Sequence, residues 1–126
     1  MKRKAIATDR APQAFGPYSQ AIRAGKTLYV SGQLPADPAT GAIVEGGIHE
    51  QTRQVIRNLV AIVEAAGGSV ESIVKVTFFI LDWNDFPALN EVCAQEFKEP
   101  YPARSTLQNT RPMGVLVGAD AIAVLK

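Results

Sequence analysis

Hydrophobic residues recur with a helical period in two segments of the chain. From Ile48 to Ala66 they lie three and four positions apart, which predicts an amphipathic helix with one buried stripe. Gly67 comes next and suits a left-handed helix end. A second helix is predicted to begin after Asn84 or Asp85, either of which can cap it, with Pro87 in its first turn. Its buried face is predicted to carry Phe86, Leu89, Val92, Cys93 and Phe97.

Other segments show the shorter patterns of β-strands. Ser72–Leu81 is rich in β-branched and aromatic residues and is the strongest candidate. Tyr18–Ala24 alternates weakly, and the turn at Gly25 leads into a return strand over Thr27–Gln33. Further strands are predicted at Ala5–Thr8, from about Arg104, and over Val117–Leu125.

The predicted order is β-β-β-α-β-α-β-β, with the strands clustered at both ends of the chain. This order indicates an α+β fold in which a mixed sheet carries two helices on one face. The length of 126 residues fits one domain spanning residues 1–126. An apolar content of 47% supports a packed core and argues against disorder.

The strongest strand is apolar on both of its sides. One side is predicted to carry Val74, Val76, Phe78 and Ile80, and the other Ile73, Phe79 and Leu81. Two helices cover only one face of a sheet, so the second face is expected to pack against another copy of the chain. The alternative is a monomer that leaves a smaller apolar patch exposed.

Charge and composition exclude several classes of partner. The net charge of +1, with no clustered basic face, predicts no binding to nucleic acid. No window reaches the roughly 18 apolar residues of a membrane span, and no apolar N-terminal stretch indicates a signal peptide. Cys93 alone cannot form an internal disulfide, and His49 alone is a poor basis for a metal site. We therefore expect a cytoplasmic protein with no metal.

The chain has no Ser-His-Asp arrangement, phosphate loop, Cys-x-x-Cys pair or dinucleotide fingerprint. Chemistry would depend on a sparse set of polar residues and two close backbone approaches: Tyr18, Ser31, Asn90, Arg104, Thr106 and Asp120, with Gly16 and Gly32. Arg104 is notable because Pro100 and Pro102 hold the preceding backbone extended. The sequence thus predicts a cation fixed at the start of a strand.

Several short motifs occur in a specific order: "GPYSQAI", "YVSGQ", "QTRQVIRNLVAIVEAAG", "DFPALNEV", "YPARSTLQ" and "AIAV". Together they resemble the RidA/YjgF family of reactive-intermediate deaminases over nearly the whole chain. The resemblance implies a chorismate-mutase-like fold and a homotrimer with active sites in clefts between subunits. It also implies hydrolysis of 2-imino acids, such as 2-aminoacrylate and 2-iminobutanoate, to 2-keto acids and ammonia. The family uses neither a metal nor an organic cofactor.

The resemblance also assigns roles to individual residues. Arg104 matches the arginine that binds the substrate carboxylate, and Tyr18 matches the tyrosine of the pocket. Alignment on "AIAV" places Asp120 where the family has the glutamate that positions the attacking water. The resemblance therefore implies that Arg104, Tyr18 and Asp120 are catalytic. Without it, a structural arginine in an interface salt bridge is an equally good interpretation of Arg104, and a half-buried aromatic residue on a hairpin is the better interpretation of Tyr18.

The remaining matches concern the lining of the cleft. Ser31 and Gly32 match the strand end that lines the family's cleft, and Asn90 matches a helix asparagine near it. Thr106 falls where some members carry cysteine. Alternatives are a strand-end turn for the first pair and an ordinary exposed helix position for Asn90.

Two other functions stay open at this stage. A chain of the same fold could bind a small carboxylate without catalysis and regulate another protein, because aspartate at position 120 has one methylene less reach than glutamate. An endoribonuclease is less well supported, since a near-neutral charge gives no surface for neutralising the nucleic-acid backbone.

Overall fold

A computed structural model describes residues 2–126, and within them a mixed sheet of six strands carries two α-helices. The elements are β1 (Arg3–Ile6), β2 (Ala21–Ala24), β3 (Thr27–Gln33), α1 (Ile48–Ala65), β4 (Ile73–Ile80), α2 (Phe86–Glu96), β5 (Ala103–Gln108) and β6 (Val117–Val124). The strands lie in the order β1-β2-β3-β6-β4-β5, and only β4 and β5 run parallel. The predicted α+β class and element order are confirmed.

Both ends of α1 are set by local contacts that the sequence encodes. At the start, the Glu50 carboxylate accepts a hydrogen bond of 2.7 Å from the Gly47 N–H. At the end, Gly67 adopts a φ of +94°, and the Gly68 N–H donates to the Val63 carbonyl at 3.0 Å. This is a left-handed termination that glycine adopts at low cost, as predicted for Gly67.

The core lies between α1 and the central strands. Ala119, Ala121 and Ala123 of β6 are buried beneath the helix, and their small side chains let α1 approach the sheet closely. Leu59 of α1 and Phe78 of β4 are fully buried in the same core. We call this side of the sheet the helix face. No described helix is long and apolar enough to cross a membrane.

One predicted detail of β4 is wrong, and the predicted cap of α2 is confirmed in its position only. Val74 is 45% exposed and does not share a side with Val76, because a register irregularity between Ile73 and Lys75 puts Ile73 in the core instead. Asp85 occupies the N-cap position of α2, one of the two predicted alternatives, but its side chain makes no capping hydrogen bond. A short 3-10 turn precedes the helix, and Asp82 caps that turn.

The N-terminal strands differ in extent from the prediction. The first strand is Arg3–Ile6, where Ala5–Thr8 was expected, and the second is confined to Ala21–Ala24. Gln20, just before it, is buried. Its side chain exchanges hydrogen bonds with the Thr8 N–H and carbonyl at 2.7 and 3.0 Å. The segment after β1 therefore bonds to an amide side chain and not to a neighbouring strand.

The other side of the sheet, which we call the open face, is covered by no helix of residues 2–126. Its apolar residues are partly exposed, among them Tyr29 at 51% and Val124 at 48%. Lys75 and Thr77 lie at its centre on β4, with Asp120 paired to Thr77 across β6. The expectation that the two helices cover one face is confirmed, and coverage of the open face by another copy stays a prediction.

Candidate active site

Arg104 lies in a cleft of about 410 Å³ between α2 and the β4–β5 edge of the sheet. In the register of the parallel pair it stands beside Val76, so it is on the helix face. The cleft is lined by Val76, Phe78, Asn90, Cys93, Ala94, Phe97, Tyr101, Pro102 and Arg104. A largely apolar cleft with one cation and one amide is suited to a small anion.

The charge of Arg104 is not neutralised by any acidic residue of the described chain, residues 2–126. Its guanidinium lies 5.3 Å from the centre of the Phe86 ring, a cation–π contact that fixes one side of the group. Among residues 2–126 no carboxylate oxygen comes within 4.0 Å of it. The intrachain salt bridge that would make Arg104 structural is therefore absent from the described chain.

Cys93 shares this cleft but is poorly suited to act as a nucleophile. Burial raises the pKa of its thiol, and the nearby Arg104 guanidinium offsets that rise only in part. A thiol with a raised pKa stays protonated near neutral pH, and the protonated form is a weak nucleophile.

Two other predicted residues lie on the same side as Arg104. Asn90 projects from α2 into the cleft. Thr106 follows Arg104 by two positions on β5 and pairs with Phe78, so it also belongs to the helix face. Its hydroxyl is buried and has no hydrogen-bond partner in residues 2–126, although the residue does not line the cleft itself.

Tyr18, Ser31 and Gly32 lie outside the Arg104 cleft. Tyr18 precedes the first residue of β2, and Ser31 and Gly32 are near the C-terminal end of β3. Tyr18 and Gly32 line a depression of about 370 Å³. The Tyr18 hydroxyl accepts a hydrogen bond of 3.3 Å from the Phe15 N–H, which shapes the turn containing Gly16. The Ser31 hydroxyl donates to the Ser19 carbonyl at 2.6 Å. These contacts hold the Tyr18 loop against the end of β3.

Asp120 belongs to the open face. Burial raises the pKa of its carboxyl above the usual aspartate value, and the positive charge of Lys75 opposes that rise. The Lys75 ammonium donates to the Ser105 hydroxyl at 3.0 Å, which positions it at the centre of this face. A carboxylate with a raised pKa binds a proton more strongly, as a general base requires.

The predicted site residues therefore form two separate groups. Arg104, Asn90 and Thr106 lie on the helix face, whereas Asp120 lies on the open face and Tyr18, Ser31 and Gly32 lie around the end of β3; we call these four the open-face group. Three strand spacings, about 14 Å, separate β3 from β5. Two spacings, about 10 Å, separate β5 from β6, and the Asp120 side chain of β6 is on the face opposite to Arg104. One copy of the chain does not bring the two groups together.

Sequence analysis missed two polar residues that anchor the neighbouring loops. Gln51 is buried, donates to the Gly114 carbonyl at 2.9 Å and accepts from the Leu116 N–H at 2.8 Å. Asn58, also buried, donates to the Leu34 and Ala36 carbonyls at 3.1 and 3.0 Å. Each amide therefore holds a loop to α1. In the sequence these contacts are indicated only by a polar residue near the apolar stripe of the helix.

Arg111 is a third residue that sequence analysis missed. It lies in the loop between β5 and β6, and its guanidinium reaches back to 5.7 Å from the centre of the Phe79 ring on the open face. No sequence pattern in "RPMGVLVG" indicates that this arginine folds back onto the sheet.

Comparison with known proteins agrees with this architecture. The family model described as endoribonuclease L-PSP matches residues 8–125. A RutC family protein of Pyrococcus horikoshii is 50% identical over 96% of this chain and 97% of its own length. The Bos taurus protein named 2-iminobutanoate/2-iminopropanoate deaminase is 45% identical over 97% and 90% of the two chains. The chain belongs to the RidA/YjgF family.

A solved structure with a ligand is also similar. E. coli TdcF with bound serine superimposes with a TM-score of 0.90 at 43% identity, covering 98% of this chain and 99% of that one. The six-stranded mixed sheet with two helices is thus the fold of the family.

Proposed function

We propose that the protein hydrolyses reactive 2-imino acids, such as 2-aminoacrylate and 2-iminobutanoate, to 2-keto acids and ammonia. The observation that carries this proposal is the Arg104 guanidinium, which has no acidic partner within residues 2–126 and lines a small cleft. A guanidinium offers two parallel donors to one carboxylate and stays charged near neutral pH. The 45% identity to a protein named as a deaminase of such substrates supports the same chemistry.

The complete site is proposed to lie between copies of a homotrimer. In a closed ring each copy presents one surface to the next copy and a different surface to the previous one. Such an interface would place the open-face group of one copy against the Arg104 cleft of its neighbour. The partly exposed Tyr29 and Val124 of the open face support its role as an interface.

The proposed reaction starts once the substrate carboxylate is held by Arg104. The enamine tautomerises to the imine, which takes up a proton on nitrogen. A water molecule attacks the iminium carbon while Asp120 accepts a proton from that water, a C–O bond forms, and the C=N π electrons move to nitrogen to give a carbinolamine. Asp120 returns the proton to the amine nitrogen, the C–N bond breaks with its electron pair leaving on ammonia, and loss of the hydroxyl proton gives the keto acid. Imines of this kind also hydrolyse without a catalyst, so a modest acceleration is sufficient.

The remaining residues are proposed to shape the cleft and bind the substrate. The Tyr18 phenol would hydrogen-bond substrate or water, and Ser31 and Gly32 would form the adjacent wall. Asn90 would approach the substrate from α2. The buried Thr106 hydroxyl, which lacks a partner within residues 2–126, is suited to hold a water molecule near Arg104.

The test is the decay of 2-iminobutanoate released by a threonine dehydratase and followed by semicarbazide trapping. The wild-type protein should accelerate the decay, Arg104→Ala should abolish most of the acceleration, and Arg57→Ala should retain it. Arg57 is a matched control because it is exposed on α1 and paired with Glu96, outside the cleft. Binding of a 2-keto acid without any acceleration would instead support a non-catalytic regulator.

A further inference from the structure

Arg111 is a second arginine without an acidic partner in the part of the chain that the structure describes. Among residues 2–126 no carboxylate oxygen lies within 4.0 Å of it. Its Nε is buried and has no hydrogen-bond partner there. Arg111 as a whole is half-buried. A buried N–H without a partner is costly, and the guanidinium that carries it is poised to donate hydrogen bonds to an anion.

Gly118 makes the room that this guanidinium occupies. A Cβ at position 118 would lie 2.6 Å from Arg111 Nη1 and 3.2 Å from the Gln33 carbonyl oxygen. Gly118 pairs with Phe79, whose ring lies under the guanidinium. The absence of a side chain on β6 therefore allows Arg111 to lie against the open face.

The position of Arg111 connects it to the open-face group. Gly118 and Asp120 point to the same side of β6 and are two residues apart, which is about 7 Å along a strand. Gln33 follows Gly32 directly and lines the same depression as Tyr18. The guanidinium thus lies against the part of β6 that carries Asp120, beside the end of β3 that borders the Tyr18 depression.

We propose that Arg111 is a second anion-binding residue of the active site and selects 2-imino acids that carry a second carboxylate. This inference rests on the proposed function, because the assembled cleft brings the open-face group of one copy to Arg104 of another. Arg104 then binds the carboxylate next to the imine carbon, and Arg111 binds the carboxylate at the far end of the substrate.

Charge balance favours a substrate with two negative charges. Lys75 on β4 and Asp120 on the neighbouring strand β6 lie on the same face of the sheet, so their opposite charges offset each other in part. The two arginines remain. A monocarboxylate compensates only one of them and leaves the other without an anionic partner in the assembled cleft. A dicarboxylate compensates both.

The test is a calorimetric titration of the intact protein with 2-oxoglutarate and with 2-oxobutanoate, which are products with two carboxylates and with one. The wild-type protein should bind 2-oxoglutarate about 10- to 100-fold more tightly, the range expected for one charge-assisted hydrogen-bonded contact. Arg111→Met keeps an unbranched apolar side chain on Phe79 but removes the charge, and it should reduce this ratio to about one.

A second variant separates charge from position. Gly118→Ala retains Arg111 but pushes its flexible end away from the sheet, so the ratio should also fall. Arg57→Ala should leave the ratio unchanged. Equal wild-type affinity for the two acids, no binding of either, or a ratio that survives Arg111→Met would overturn the inference. A failure of the proposed function gives a different result. In that case both acids bind with the predicted ratio of affinities, but the protein does not accelerate imine decay.

Discussion

Replacement of Arg104 is the perturbation that most directly probes the chemistry of the cleft. Arg104→Ala removes both donors to the substrate carboxylate, and Arg104→Lys keeps the charge but loses the forked geometry. Because Arg104 is exposed at an edge strand, we use the lower end of the range for a charged hydrogen bond, about 1.5 kcal/mol each. Two bonds amount to about 3 kcal/mol, or roughly 150-fold in kcat/KM.

The same energy per hydrogen bond predicts the rate loss of the lysine variant, and the contacts of Arg104 predict the stability of both variants. Arg104→Lys should lose about one bond, which is roughly tenfold in kcat/KM. Neither variant should lower the free energy of unfolding by more than about 0.5 kcal/mol, because Arg104 makes no ion pair within residues 2–126. Initial rates of imine decay and urea unfolding supply the two measurements. A full rate for Arg104→Ala, or a rate loss matched by an equal loss of stability, would refute the role in binding.

Two further predictions concern stability. Burial raises the folded-state pKa of Asp120, so the free energy of unfolding should fall as pH rises from the ordinary aspartate pKa to the raised one. Asp120→Asn should lack this fall and be more stable at pH 7 while losing activity. Urea unfolding at pH 4 and pH 7 measures the free energy of unfolding of both proteins. A wild type that becomes more stable relative to Asp120→Asn as pH rises would contradict the raised pKa. Gln51→Ala should cost about 1–3 kcal/mol, since it leaves the Gly114 carbonyl and Leu116 N–H without partners. Faster hydrogen exchange at Leu116 should accompany the loss, and unchanged exchange would argue against the anchor.

The elements were predictable because each carries its own local signal. The apolar stripe of α1 ends at glycine, and β3 was predicted with its observed bounds, Thr27–Gln33. Val74 was misplaced because an irregular strand pairing breaks the two-residue alternation on which the prediction relied. Local sequence does not encode such a pairing, which depends on contacts with the distant strand β6.

The site was harder to predict than the fold. The resemblance to a family indicates which residues take part in the reaction. It does not indicate that Arg104 and Asp120 lie on opposite faces of one sheet. That fact depends on the register of β5 against β4, which follows from tertiary pairing. Arg111 was missed for a related reason, because its placement requires a glycine on another strand.

The central claim is that each active site takes Arg104 from one copy and Asp120 from another, and subunit mixing tests it most directly. Arg104→Ala and Asp120→Asn subunits, each inactive alone, are unfolded together in urea and refolded at a one-to-one ratio. Random mixing should restore about one quarter of wild-type activity, because one site in four then receives both intact residues from different copies. Activity that stays at the level of the separate variants, although mixed trimers form, would contradict a site shared between copies.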